Sequence, residues 1–430
     1  MSILTNFGAA RLGTHCSRTL GPIIRYFGRS SSAFQQPEGR NVSEEDHTHQ
    51  NIALRPPACQ MSNFMDIGSR SIFDEDHDIF RESARRFFRD VVHPEHKKFE
   101  ADGKVSREVW KELGRMGFLG TSLPAEKGGI GGTFLDETIV IEEQAYAHCH
   151  APSLIVHGTI CMPYIVKYGT PEQVDKFMPL LTSGEKVCAI AMTEPDAGSD
   201  LQGIRTNAKQ EREGGDFILN GSKVFITNGI HADVVIVVAI TDSKARSNAH
   251  GITLFLVEEG MPGFKKGRNL NKVGSKANDT AELFFEDVRL PESAILGGLN
   301  RGFYQLMNEL PQERLAIGIN ACAASEWMFE ETRGYVMNRK AFGGALSNLQ
   351  TIQHKLAELK TSIAVCRSFI DECIAQHNIG CLDNSTASMA KVRFMVLSEW
   401  KHEGRGHIFD RLLKLYRVRR LKINMMRSIY

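Results

Sequence analysis

Met192-Thr193-Glu194-Pro195-Asp196-Ala197-Gly198-Ser199-Asp200 marks the point in the chain where one hydrophobic period stops and another begins. Small residues let this backbone approach a ligand closely, Thr193 and Ser199 offer hydroxyls, and successive N–H groups in such a loop can bind a phosphate. Taken alone it is a Gly/Ser turn, and most such turns are purely structural. Its flanks give it weight.

Upstream, Ile72, Phe73, Ile79, Phe80, Ala84, Phe87, Phe88 and Val91 recur near the 3.6 period, and Pro94 is expected to stop that helix. Further helices are expected at Arg107–Met116, Leu135–Ala147 and Pro171–Leu181, the last opened by a proline suited to a first helical turn. Downstream the period becomes two. Asp216–Leu219, an Asn220-Gly221 turn and Lys223–Thr227 read as a hairpin, followed by β-rich runs at Val234–Ile240, Ile252–Val257 and Ala281–Arg289. From Phe303 helical spacing returns through Leu310–Glu330, Glu331–Asn338 and Leu349–Gln376. The expected fold is therefore α+β and multidomain: an N-terminal helical domain (66–187), a middle antiparallel β domain (188–297) and a C-terminal helical-bundle domain (298–391). This order is neither a βαβ wheel nor a solenoid, and no internal repeat is visible.

The 430 residues, 42% hydrophobic and 24% charged, exclude a collagenous or wholly disordered chain. The net charge of +1 hides a division. Residues 1–37 hold four arginines and no acid, residues 392–430 carry +7, and the body between them is left with −10. Spaced arginines, serines and interspersed apolar residues without acid give 1–37 the composition of a mitochondrial transit peptide. Residues 38–65 read as a linker and 392–430 as a basic tail. Nine cysteines form no C-x-x-C pair, so no metal site is expected, and the longest apolar run, Ala232 to Ile240, is too short to span a membrane. Nucleic-acid binding is unsupported, because basic residues concentrate at the two ends.

Three motifs now fall in order. Met192–Asp200 with Gly203 resembles the T-E-P-x-A-G-S-D signature of acyl-CoA dehydrogenases; Asn220–Gly229 resembles their N-G-x-K-x-x-I-T-N-G; Arg339-Lys340-Ala341-Phe342-Gly343 resembles their R-x-x-F-G. The likeness runs from about Asp66 to Lys391, and Glu309-Leu310-Pro311-Gln312-Glu313-Arg314-Leu315 looks like the helix motif of the long-chain type. The resemblance implies an FAD enzyme of the mitochondrial matrix that dehydrogenates long-chain acyl-CoA between Cα and Cβ, passes electrons to electron-transfer flavoprotein and assembles as a homotetramer.

Carried over by motif, Met192, Thr193, Ser199 and the run Phe225-Ile226-Thr227 would hold the isoalloxazine, while Arg339, Phe342 and Gln350 would belong to the FAD site of a neighbouring subunit. An always-charged planar guanidinium suits a pyrophosphate. Glu313 matches the catalytic base: an α-proton beside a thioester needs a positioned carboxylate, and a mostly apolar acyl pocket would raise its pKa. Ser199, Tyr304, Pro311 and Gln312 would line the substrate site and Arg314 would steer the CoA. Without the motif, Glu313 beside Arg314 reads as a surface pair.

After Lys391 the likeness ends. The family's Q-x-x-G-G-x-G element and its late loop, which supplies a backbone N–H to the thioester carbonyl, have no counterpart in 392–430. Apolar faces of Leu349–Ala375 are then expected to lie open. The tail reads as an alternative exon, frameshift or mis-joined gene model, as a basic amphipathic helix for peripheral contact with an anionic membrane, or as a solvated segment. Accordingly a second functional reading stands beside the enzyme: a non-catalytic isoform that binds acyl-CoA or joins intact subunits. An acyl-CoA oxidase is disfavoured by length and by the N-terminus.

Overall fold

The computed structural model describes Arg55, residues 60–272 and residues 274–400, the last eight as backbone. The transit segment 1–37, most of the linker and the tail beyond Trp400 lie outside the described residues.

Helix α1 (Glu75–Phe87) opens on Asp74, whose carboxylate accepts from His77 N–H, and carries Glu75, Asp76 and Asp78 in its first turn and Arg85 and Arg86 in its last. Both ends thus complement the helix dipole. Pro94 does not stop the helical path. A π-helical turn, Phe88–Val92, leads straight into α2 (His93–Asp102), where Pro94 sits in the first turn and its missing N–H costs nothing. α3 (Arg107–Arg115), α4 (Phe134–Tyr146), α5 (Met162–Tyr168) and α6 (Pro171–Thr182) follow, α4 and α6 each opened by a threonine capping box.

The sheet contains β1 (Cys188–Ala191), β2 (Asn207–Gln210), β3 (Phe217–Thr227), β4 (Val234–Ile240), β5 (Ile252–Glu258), β6 (Phe264–Asn269), β7 (Thr280–Leu290) and β8 (Ile295–Leu296). Its order is β6-β7-β3-β2-β4-β5-β8, with β1 also on β4. Two features differ from the sequence expectation. Pairing is antiparallel except that β1 and β2 both run parallel to β4. And Asn220-Gly221 is not a turn: β3 is one long strand with a bulge there, held by reciprocal bonds of 3.0 Å between the Asn220 amide and Asp287. Gly221 has φ +148, and a Cβ on it would meet Thr206 Oγ1 at 2.4 Å. The dipeptide that favours hairpins here bends a strand over its neighbour.

β4 shows how the sheet joins its neighbours. Val234, Ile236 and Val238 pack into the helical core around Trp110, Phe177 and Leu181, whereas Val235, Val237 and Ala239 face the second layer around Phe217, Phe255 and Val288. A strand buried on both faces reads as an unbroken apolar run, as Ala232–Ile240 does.

The C-terminal region begins with a single 37-residue helix, α7 (Gly302–Asn338), that includes Pro311, instead of two shorter ones. A ribbon of β9 (Lys340–Ala341) and β10 (Gly344–Ala345) presents Phe342 and Gly343 at its tip, both at positive φ as a tight hairpin requires. Then come α8 (Gln350–Asn378) and α9 (Asn384–Trp400), whose backbone continues unbroken past Lys391. Leu315, Ile319, Ile370, Ile374 and Ala390 form the core between these helices, with Phe134 and Ile141 of α4. Val365, Met389 and Val392 are exposed.

Buried ions tie the first and last helical regions together. Arg367 of α8 bonds Glu326 of α7 and Glu142 of α4, the latter at 2.7 Å; Glu142 also receives Arg70 at 2.6 Å and Arg81 at 2.9 Å. Burial alone would raise the Glu142 pKa, but three guanidinium groups outweigh it and hold the carboxyl far below the usual range.

Candidate active site

The loop after β1 owes its shape to the sheet. Cys188–Ala191 pairs with the first half of β4, Val234–Val237, and pairing with β4 resumes only at Asn207 opposite Ile240. Between them residues 192–206 leave the ladder, so their N–H groups are not spent on β4. Lys223 fixes the start of the excursion. Fully buried, it donates to the Met192 carbonyl at 3.0 Å and to Glu194 Oε1 at 2.7 Å, while Glu194 accepts the N–H groups of Arg205 and Thr206 at 2.7 and 3.1 Å. Burial pulls Lys223 down to about 8 despite the carboxylate, and the ammonium in turn outweighs burial to lower Glu194.

β3 lies alongside, with Val224 N–H on the Thr193 carbonyl at 2.9 Å. A second bulge follows between Lys223 and Ile226, and at it Phe225 takes φ +62 with its ring 38% exposed. A bulky residue at positive φ is a strained conformation of the kind that clusters at ligand sites. The motif-derived group Met192, Thr193, Phe225, Ile226 and Thr227 is therefore one surface: Met192, Thr193 and Ile226 buried, Phe225 turned outward, with Ser199 exposed farther along the loop.

Glu313 lies in α7, 1% exposed. The Tyr164 hydroxyl of α5 donates to its Oε1 at 3.0 Å. One turn earlier on both helices, Tyr168 and Lys167 donate to Glu309 at 2.7 Å each, and Gln312 Nε2 donates to the Thr159 carbonyl at 2.7 Å. Matched four-residue spacings lock α5 against α7 at the carboxylate. Lys391 of α9 is buried nearby: burial and Arg314 push it down to about 8, opposed by the charge of Glu313. The surroundings of Glu313 are thus mixed, with a phenol and an ammonium beside it, where the sequence reading expected a mostly apolar pocket.

Of the remaining sequence-derived residues, Arg314 donates to Asn384 and Ser388 of α9, both at 3.1 Å. Pro311 and Gln312 adjoin Glu313, but Tyr304 is nine residues away, about 14 Å along the helix; it is 46% exposed beside Arg301 and His250. Arg339, Phe342 and Gln350 are all exposed, Phe342 at 92%, and follow the far end of α7, about 38 Å along the axis from Glu313. One chain does not bring them to the Glu313 end. Sequence reasoning missed Tyr164, Tyr168 and Lys391; Lys223 and Glu194 stood inside quoted motifs and were passed over. Only the fourfold spacing of the tyrosines hinted at paired helix contacts.

The residues present fit a flavin. A flat ring system needs an apolar face and hydrogen-bonding groups at its rim; the projecting Phe225 supplies the first, and the Thr193 and Thr227 hydroxyls with the N–H groups of 192–206 supply the second. The open groove of 360 Å³ on the other side of the loop carries Glu194 and Asp196, and so suits a pyrophosphate poorly. The exposed cation of the third motif, Arg339, stands away from it.

Comparison with known proteins agrees with this architecture. Residues 74–185, 189–288 and 300–402 match the N-terminal, middle and C-terminal domains of acyl-CoA dehydrogenase. Long-chain specific acyl-CoA dehydrogenases, mitochondrial, of Mus musculus and Sus scrofa are 57% and 60% identical over 363 and 355 residues, covering 84% and 83% of this chain and 83% and 82% of theirs. The solved acyl-CoA dehydrogenase of Geobacillus kaustophilus superposes with a TM-score of 0.77 at 38% identity, covering 84% of this chain and 98% of that one. A glutaryl-CoA dehydrogenase of Mycobacterium smegmatis solved with FADH2 gives 0.73 at 28%, covering 82% and 90%. The electron transferring flavoprotein structure of Acidaminococcus fermentans gives 0.74 at 30%, covering 82% and 94%. Three domains matched in order, around a flavin-shaped loop and a buried carboxylate, place this chain in the acyl-CoA dehydrogenase family of FAD-dependent enzymes.

Proposed function

We propose that this chain dehydrogenates long-chain acyl-CoA to trans-2-enoyl-CoA in the mitochondrial matrix, as a homotetramer that delivers electrons to electron-transfer flavoprotein. The observation that carries the reading is the placement of Glu313, buried and fixed by Tyr164 within the helix pair that leads through β1 into the flavin loop. Bound FAD supplies the acceptor for the β-hydride. Glu313 takes the α-proton at its carboxylate; Met192, Thr193, Phe225 and Thr227 hold the ring; Arg339, Phe342 and Gln350 serve the site of a neighbouring subunit, which their distance from Glu313 requires. Arg314, now spent on Asn384 and Ser388, turns toward the CoA when substrate enters.

Lys391 favours a second reading, a non-catalytic form that binds acyl-CoA or joins intact subunits, because its buried ammonium interacts with the very carboxylate the reaction needs. Anaerobic titration decides between them. Purified 430-residue protein is expected to show stoichiometric flavin absorbance that palmitoyl-CoA bleaches; flavin-free protein, or a flavin that stays yellow, would select the second reading.

Tyr164→Phe removes one donor to a charged group and little volume. With that bond contributing about 1.5–3 kcal/mol, kcat is expected to fall roughly tenfold or more while KM and flavin content stay within about twofold. Unchanged kcat would show that Tyr164 does not hold the base.

A further inference from the structure

One cluster of reactive side chains has no part in the dehydrogenation. Cys161 ends the π-helical turn before α5, Cys188 begins β1, and the two thiols, both fully buried, are hydrogen-bonded to each other. His157, one turn before Cys161, is buried against them. Its Nε2 lies 3.0 Å from the Leu181 carbonyl and so carries the proton; Nδ1 accepts the Cys188 N–H at 3.1 Å and stands 3.3 Å from Cys188 Sγ. The fold has thus placed two thiols and an acceptor nitrogen together beneath the active site.

We propose that Cys161 and Cys188 are a peroxide-reactive dithiol that closes to an intramolecular disulfide and thereby disturbs the Tyr164–Glu313 contact. The two thiols are unlike. Burial pushes Cys188 up, but the hydrogen bond from Cys161 and the pull of His157 outweigh it and bring it down to about 6; burial, reinforced by the Cys188 contact, pushes Cys161 well above the ordinary thiol range. Cys188 is the attacking sulfur and Cys161 the resolving one.

The chemistry balances with hydrogen peroxide as oxidant. His157 Nδ1 takes the Cys188 proton as Sγ attacks one peroxide oxygen; the O–O bond breaks, and the departing hydroxide takes the proton from Nδ1, leaving a sulfenic acid and one water. Cys161 sulfur then attacks Cys188 Sγ, the S–O bond breaks, and hydroxide leaves with the Cys161 proton as a second water. Two thiols are oxidised and one peroxide is reduced to two waters. Closing the bond draws the sulfurs to about 2.05 Å from hydrogen-bond distance. Cys161 lies three residues before Tyr164, on the same face of the helical run, so the pull passes directly to the residue that bonds Glu313.

The effect on turnover rests on Glu313 as the base; the disulfide itself does not. The test exposes purified flavin-loaded protein to a small excess of hydrogen peroxide, followed by non-reducing peptide mapping and turnover assays. A Cys161–Cys188 linked peptide is expected, with a fall of about tenfold in turnover, the scale of a sub-ångström misplacement, regained on reduction with dithiothreitol. Cys188→Ser should show neither, and Cys188→Ala serves where the hydroxyl disturbs packing. Oxidation of the exposed Cys381 without the linked peptide overturns the site. Linkage with unchanged turnover, or inhibition that persists in both Cys188 variants, overturns its coupling to Glu313. If Glu313 is not the base, the linked peptide still forms, and that failure shows separately in Glu313→Gln kinetics.

Discussion

Glu313→Gln is expected to keep bound FAD and folded structure while acyl-CoA-dependent flavin reduction falls by about 10²–10⁴-fold, the usual contribution of a positioned general base. Glutamine keeps the shape of the side chain and can still meet the Tyr164 hydroxyl through its carbonyl, so α5 and α7 should remain locked. What it cannot do is accept a proton from carbon. The loss should therefore appear in the rate of flavin bleaching at saturating acyl-CoA more than in the concentration needed to saturate. Flavin reduction within about threefold of the parent rate would remove Glu313 as base and, with it, the catalytic role of the α5–α7 contact.

The largest effect on stability is expected at Arg367. Replacing it with Met retains much of its volume but strips the buried cation from Glu142 and Glu326. Removing one partner from a buried ionic cluster costs about 3–5 kcal/mol, because the remaining charge stays desolvated and uncompensated. Arg367→Met should accordingly lower the urea midpoint markedly, and α8 should detach from α4 and α7 first. The pH dependence follows from Glu142, whose folded-state carboxyl is held far below its unfolded value. A depressed acid contributes stability that is fully present above the unfolded carboxylate range, about 4.3, and is lost as pH falls below it toward the folded value. The parent protein should lose stability on acidification below about pH 5, and the variant, having already lost part of the pairing, should lose less over the same window. Equal acid sensitivity in the two proteins would show that the network does not couple Glu142 to folding.

Local chemistry made much of the fold legible. Capping signals at Asp74, Thr133 and Thr170 match the observed starts of α1, α4 and α6, and the unbroken apolar run Ala232–Ile240 is the strand β4, buried on both faces. Errors arose where a local signal has two tertiary outcomes. Pro94 permits a helix start as readily as a helix end, and the π turn before it chose the former. Asn220-Gly221 permits a hairpin or a bulge; pairing of β3 with β7 along its whole length chose the bulge. The flavin loop could be recognised by motif, but its physical cause, the interruption between β1 and β2 on one edge of β4, is a matter of sheet register.

By itself the sequence determined the order of helical and β segments, the three motifs, and Glu313 as the carboxylate to watch, because each is encoded within a few turns or strand residues. Tertiary structure alone decided who stands beside them. Tyr164 reaches Glu313 across 149 residues, Lys223 meets Glu194 across 29 and Arg367 meets Glu142 across 225. Such partners leave no periodicity in the chain, since burial must first exclude water before one carboxylate selects one cation or phenol at hydrogen-bond distance.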